Sequence, residues 1–158
     1  MASTVTASTM TVTISESITL NGKNQGGTQT FNISSISDIF QRIVSCTASQ
    51  TTTIASFNAD VHGAAGAIDI ENSKYIRITN LDDTNHVTLL FKNENNNEFA
   101  VKLDKGQTFI YNGDLSGGVV DTMDADSSAL SVGLGDLVNI TATADTAACD
   151  VEVFVACK

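Results

Sequence analysis

Between Thr11 and Leu20 apolar and polar side chains take turns. Val12, Ile14, Ile18 and Leu20 share one parity, Thr11, Thr13, Ser15, Ser17 and Thr19 the other, and Glu16 is the only break. A period of two predicts a strand with one buried and one wet face. The turn cluster from Asn21 to Gly27 leads into a second strand through Phe31 and Ile33. Further on, Ile36, Ile39, Phe40 and Ile43 fall at i, i+3, i+4 and i+7, with Ser34, Ser35 or Ser37 available as N-cap, which predicts one short helical turn. From Arg42 to Ala48 the chain reads equally well as extended, and the β-branched run Thr51 to Ile54 continues in that style.

Downstream the alternation returns in Lys74 to Asn80, His86 to Phe91, Glu98 to Leu103, Gln107 to Tyr111, Leu137 to Thr143 and Asp150 to Ala156, with Asn, Asp and Gly turns between most of them. Runs at a spacing of roughly 8 to 12 residues predict a sandwich or barrel. The expected architecture is therefore all-β: a jelly-roll-like β-sandwich of roughly nine to eleven strands with at most one short helix. Residues 1–10, small and polar, read as an N-terminal arm able to add to a neighbour's sheet edge, and residues 11–158 as a single domain. The inner face is expected to hold Val12, Ile14, Ile18, Ile76, Ile78, Val87, Leu89, Phe99, Val101, Val151, Val153 and Val155.

Composition narrows the possible roles. The 158 residues include no Pro or Trp, only 16% are charged, and 18 acidic against 8 basic side chains give a net charge of −10. That balance repels phosphate, and the Lys and Arg residues form no run, so neither direct nucleic-acid binding nor membrane-surface binding is expected. The first sixteen residues show no basic n-region or apolar h-region, so no secretory signal is expected. Three cysteines leave one over from any pairing, and alternation puts Cys149 and Cys157 on the Val face of one strand, about 26 Å apart. All three read as buried, reduced thiols.

Candidate chemistry is sparse. His62 and His86 stand in no nucleophile motif and at no zinc-ligand spacing, so no catalytic residues and no cofactor are expected. Asp121, Asp124 and Asp126 form an oxygen-rich stretch that suits Ca²⁺ but lacks the EF-hand spacing and its glycine. Gly63 to Gly66 and Gly117-Gly118 lack the Lys-Ser/Thr of a phosphate loop.

Three stretches carry a resemblance: Asp38-Ile-Phe-Gln-Arg-Ile-Val44; Lys74 to Asn85 with Val87 to Phe91; and Phe99 to Phe109. Together they cover about the middle half of the chain and resemble small β-rich proteins encoded among the virion genes of tailed, marine cyanophage-like bacteriophages. The resemblance implies a non-enzymatic virion component, assembled in the host cytoplasm. Its first form is a capsid decoration or cement protein contacting the major capsid protein and other copies of itself, by analogy as a trimer. The alternative is a tail or fibre accessory protein of adhesin type. No catalytic residue carries over.

Overall fold

The computed structural model describes residues 4–61, 63, 66–125 and 133–158. Its elements are β1 (Ser8–Ser15), β2 (Thr19–Leu20), β3 (Lys23–Asn24), β4 (Thr28–Ile36), β5 (Asp38–Cys46), β6 (Thr51–Asn58), β7 (Ile68–Asp69), β8 (Ser73–Asn80), β9 (Val87–Asn93), β10 (Glu98–Leu103), β11 (Thr108–Asn112), β12 (Leu137–Ala144) and β13 (Cys149–Cys157). No helix occurs among the described residues.

Two sheets face each other, one in the order β10-β9-β12-β6-β7 and one in the order β11-β8-β13-β5. Without the two-residue β7, which adds parallel to β6, each sheet has four antiparallel strands, and β5, β6 and β8 to β13 switch sheets at every connection except the β9-β10 hairpin, as in a jelly roll. The expected β-sandwich is the observed one. In β13 the period of two is plain: Cys149, Val151, Val153 and Val155 are buried, while Asp150 is exposed and Glu152 and Phe154 are half-buried. Ile76 and Ile78 from β8, Val87, Leu89 and Phe91 from β9, and Ile140 and Ala142 from β12 complete a core into which Phe99 and Val101 pack at the margin.

Phe91 links the two layers. Its ring stacks on Phe99 of the neighbouring strand at 4.6 Å and meets Phe109 and Tyr111 of the opposite sheet at 5.2 and 5.7 Å. The Tyr111 hydroxyl stays hydrogen-bonded through the Thr122 hydroxyl and carbonyl, both at 3.1 Å.

Strand ends are closed by asparagine side chains. The amide of Asn80 donates to the carbonyls of Asn85 and Leu103, and its oxygen accepts the Asp82 N–H. Asn93 does the same at the end of β9: its amide donates to the Met123 carbonyl and its oxygen accepts the N–H groups of Asn95 and Asn97. Both side chains are buried with nitrogen and oxygen each hydrogen-bonded, which is how a chain this poor in charge closes these turns.

Two expectations need correction. The helical turn across Ile36 to Ile43 is instead the junction of β4 and β5. Ser35 takes a positive φ of 63° at the end of β4, and beyond Ser37 the chain is extended, with Phe40, Val44 and Cys46 turned inward and Ile39 and Ile43 outward. An edge strand apolar on both faces mimics helical spacing. Val12, Ile14 and Ile18 do not join the inner face either: Val12 is half-buried, and Ile14 and Ile18 are 40% and 49% exposed. Val12 and Ile14 lie on β1, which pairs with β4 in a separate two-stranded sheet outside the sandwich, and Ile18 follows β1 in the same hairpin. The arm boundary at Met10 falls inside β1, where Ser8 is paired with Ile36 and Met10 with Ile33.

Replacing Phe91 with Ala should cost about 3–5 kcal/mol, because the ring is fully buried and bridges both sheets. Equilibrium urea unfolding checks this, and a loss under about 1 kcal/mol would show that the sheets close without the aromatic cluster.

Candidate assembly surface

The element that stands apart is a long hairpin running from Ser8 to Ile36. Past the end of the β1-β4 ladder at Ser15–Thr28, pairing continues: Glu16 N–H donates to the Gly27 carbonyl at 2.8 Å, Gln25 N–H to Ile18 at 2.9 Å, and β2 pairs with β3. The reversal is at Asn21-Gly22, both in the left-handed region at φ 51° and 76°, the pair that a two-residue hairpin turn favours. At Gly26 the backbone passes so close that a Cβ would lie 2.1 Å from the Glu16 carbonyl oxygen, so only glycine fits.

The two faces of the hairpin differ. One is a row of side-chain hydrogen bonds, Thr11 to Asn32, Thr13 with Thr30 and Ser15 with Thr28, at 2.9 to 3.3 Å. The other is apolar. Near the base, Ile33 and Ile36 are buried against Tyr75 and Ala156 on the outer side of the β11-β8-β13-β5 sheet, with Met10, Val12, Phe31, Ile110 and Phe154 around them. Phe31 and Phe154 flank the Tyr75 ring at 6.5 and 6.3 Å.

Beyond that anchor the support ends. Every residue from Thr13 to Thr30 is exposed except the half-buried Gly26, and Ile14, Ile18 and Leu20 are 40%, 49% and 56% exposed. At about 3.3 Å per extended residue, the eight residues from Thr13 to Leu20 span up to about 25 Å. This tip is also free of net charge. Residues 1–37 contain one acid, Glu16, and one base, Lys23, so the whole net charge of −10 lies in residues 38–158.

A second apolar feature lies on the sandwich itself. β5 is the outermost strand of its sheet, paired only with β13, and its outward Ile39 and Ile43 are 54% and 62% exposed. Next to them Glu152 is held by Gln41 and Arg77, each at 2.9 Å, and the Arg77 guanidinium lies 5.6 Å over the Phe154 ring.

Among the described residues the candidate chemical side chains do not converge. Asp121 is exposed with φ 51°, its N–H donating to the Asp136 carboxylate at 2.9 Å, Asp124 is half-buried, and Asp126 lies outside the described residues. Among the described residues no group of three or more His, Cys, Asp or Glu is placed to hold a metal ion. His62 also lies outside the described residues, and His86 Nδ1 stands 3.6 Å from Asp145 at the sandwich end. Among the described residues, a cleft of about 290 Å³ is lined by Asp38, Phe40, Asp69 and Cys157, and one of about 430 Å³ by Leu81, Asp82 and Asp150.

Lys74 stands near the start of β8. It is 2% exposed, and its amine donates to the carbonyls of Glu71 at 2.6 Å and Ser116 at 3.1 Å, tying the loops before β8 and after β11 together. Burial pulls its pKa below 10.5. The Ser116 loop is itself ordered by Asp114, whose carboxylate accepts from the Ser116 hydroxyl and the N–H groups of Gly117 and Ser116, which hold its pKa near 2.

Cys46, Cys149 and Cys157 are free, buried thiols, as expected. Burial raises the pKa of each above 9.0, that of Cys157 to about 11, and it also raises Tyr75 and Tyr111 above 10.0. The unfolded chain therefore releases these protons first, and the stability they contribute is complete below about pH 9 and lost as pH rises through about 11. Lys74 acts in the opposite sense, its penalty easing as pH climbs toward 10.5, but it is one group against five. Thermal melts should fall steadily from about pH 9 to about pH 11, and less steeply for Cys157→Ala. A melting temperature that rose over this range would contradict the assignment.

No family model matches the chain, and no curated protein matches it. Among solved structures, one of Bacillus endospore appendages, described as forming a novel family of disulfide-linked pili, aligns over 100% of this chain and 96% of its own, at 8% identity and a TM-score of 0.39. A likeness of that size carries no functional argument.

Proposed function

We propose that the chain is a non-catalytic structural subunit of a repetitive particle, in its specific form a capsid decoration protein of a tailed bacteriophage, which engages neighbouring subunits through the Ser8–Ile36 hairpin. The observation that carries this reading is the unsupported tip. A two-stranded ribbon alone is marginal in water, and here its apolar side chains Ile14, Ile18 and Leu20 continue past the last residue of the body able to cover them. A second copy is the occupant that fits. Two bodies that carry the net charge repel each other, whereas a charge-balanced ribbon approaches a neighbour without that cost.

The open edge of β5, with Ile39 and Ile43 beside it, supplies a place for a strand to add: main-chain hydrogen bonds give affinity and the alternate side chains give register. Such a contact is head-to-tail, so it closes into a ring, such as the trimer the resemblance implies, or runs on as a row. It also covers an edge that would otherwise pair indiscriminately. The virion assignment rests on the sequence resemblance. Jelly rolls serve viral shells and lectins alike, so the fold is compatible with it without choosing it.

Two variants test the hairpin. Gly26→Ala places a Cβ against the Glu16 carbonyl and disrupts the tip, and Ile14→Thr with Ile18→Thr and Leu20→Thr removes its apolar side chains. Both should keep the circular dichroism and melting behaviour of the sandwich while weakening self-association about tenfold or more in sedimentation velocity. Unchanged assembly in both would end the reading. For the virion form, quantitative mass spectrometry of particles should find a copy number comparable to that of the shell protein; only a few copies per particle would move the protein to the tail.

A further inference from the structure

Cys46 closes β5, Cys149 opens β13, and the register of the two strands sets them directly opposite each other. Both are 0% exposed and both share the inward parity of Val44 and Val151. The Leu81 N–H donates to the Asp150 carbonyl at 2.9 Å, so the main chain of Asp150 faces β8 and that of Cys149, one residue earlier, faces β5. Cys46 and Cys149 are thus the hydrogen-bonded kind of antiparallel pair, with Cα atoms about 5.5 Å apart, inside the range of roughly 4.4 to 6.8 Å that a disulfide spans. The present sulfur contacts are weak: Cys46 Sγ lies 3.9 Å from the Val44 carbonyl, and Cys149 Sγ lies 3.8 Å from the carbonyls of His86 and Ala147.

We propose that Cys46 and Cys149 form a modification site, an intramolecular disulfide made and broken by exchange with a small oxidised thiol such as glutathione disulfide. Cys149 lies next to the exposed residues 145–148 and is the first to be reached. Its thiolate attacks one sulfur of glutathione disulfide, a mixed disulfide forms, and one glutathione thiolate leaves. The Cys46 thiolate then attacks the Cys149 sulfur and expels the second glutathione. Two cysteines lose two electrons and two protons, and one glutathione disulfide becomes two glutathiones.

The bond closes a loop of about 100 residues and fixes the end of the edge strand β5 to the central strand β13. Side chains across a hydrogen-bonded pair stand further apart than across the alternate kind, so the two strand ends must draw together and the resulting bond is readily reduced. Cys157, about 26 Å along β13 and opposite Asp38, takes no part. Burial, and for Cys149 the carboxylates of Asp82, Asp145 and Asp150, disfavours the thiolates, so exchange is slow in the folded chain and fast while it refolds.

The test has two arms: folded protein incubated with glutathione disulfide, and protein refolded from denaturant in a glutathione redox buffer. Each is acid-quenched, alkylated after denaturation and mapped by peptide mass spectrometry. The expected result is a Cys46–Cys149 linkage in the refolded arm, slower or incomplete in the folded arm. Cys157 should be fully alkylated, and the melting midpoint higher by on the order of 10 °C and restored by reductant. Cys157→Ala should behave as the parent, while Cys46→Ala and Cys149→Ala should lose both linkage and shift. Full alkylation of all three thiols in both arms would overturn the proposal, as would a linkage through Cys157 or between two chains.

Discussion

The fold depends on the last strand reaching the middle of a sheet. β13 is flanked by β5 on one side and β8 on the other, so its main chain is bonded along both edges and four of its inward side chains sit at the centre of the core. β12 plays the same part opposite, between β6 and β9. Neither sheet is continuous until the final quarter of the chain has been inserted. Loop-closure entropy is therefore spent before most core contacts are made, which places this topology among the slow-folding ones.

Given that scaffold, the chain divides its work by polarity without relying on charge. Thr and Ser rungs face water on the hairpin, and a Thr51–Thr143 pair and a Thr79–Thr108 pair do the same on the two sheets. Buried asparagines close turns that other proteins close with ion pairs. Few salt bridges are formed among the described residues, and the one between Arg77 and Glu152 sits beside the hairpin base, where Phe154 shields one side of it. The outcome is a body whose excess carboxylates are dispersed and a projecting element that carries no net charge.

How much of this was readable from the sequence differs by element. β8, β9 and β13 announced themselves because alternate residues of each strand meet the core between the sheets, and Tyr75 and Ala156, under the hairpin, are buried on the other face as well. The same alternation in β1 identified a strand but misplaced Val12, Ile14 and Ile18, since a two-faced pattern does not say which surface the apolar face meets. Around Ile36 to Ile43 an edge strand with isoleucines on its outer face imitated a helix. The proximity of Cys46 and Cys149 was unreadable because it depends on a register between strands distant in sequence. The hairpin has one legible sign in the sequence: the first 37 residues hold a single acid and a single base.

The buried Lys74 gives the molecule an internal protease gauge. Trypsin needs an extended, accessible Lys or Arg, and the bond after Lys74 lies in β8 with its amine held between two loop carbonyls. Lys23 at the hairpin end is exposed to the enzyme at all times, so a native sample is nicked there. Scission at Lys74 requires the sandwich itself to open, and the ratio of the two cuts measures how often it does so.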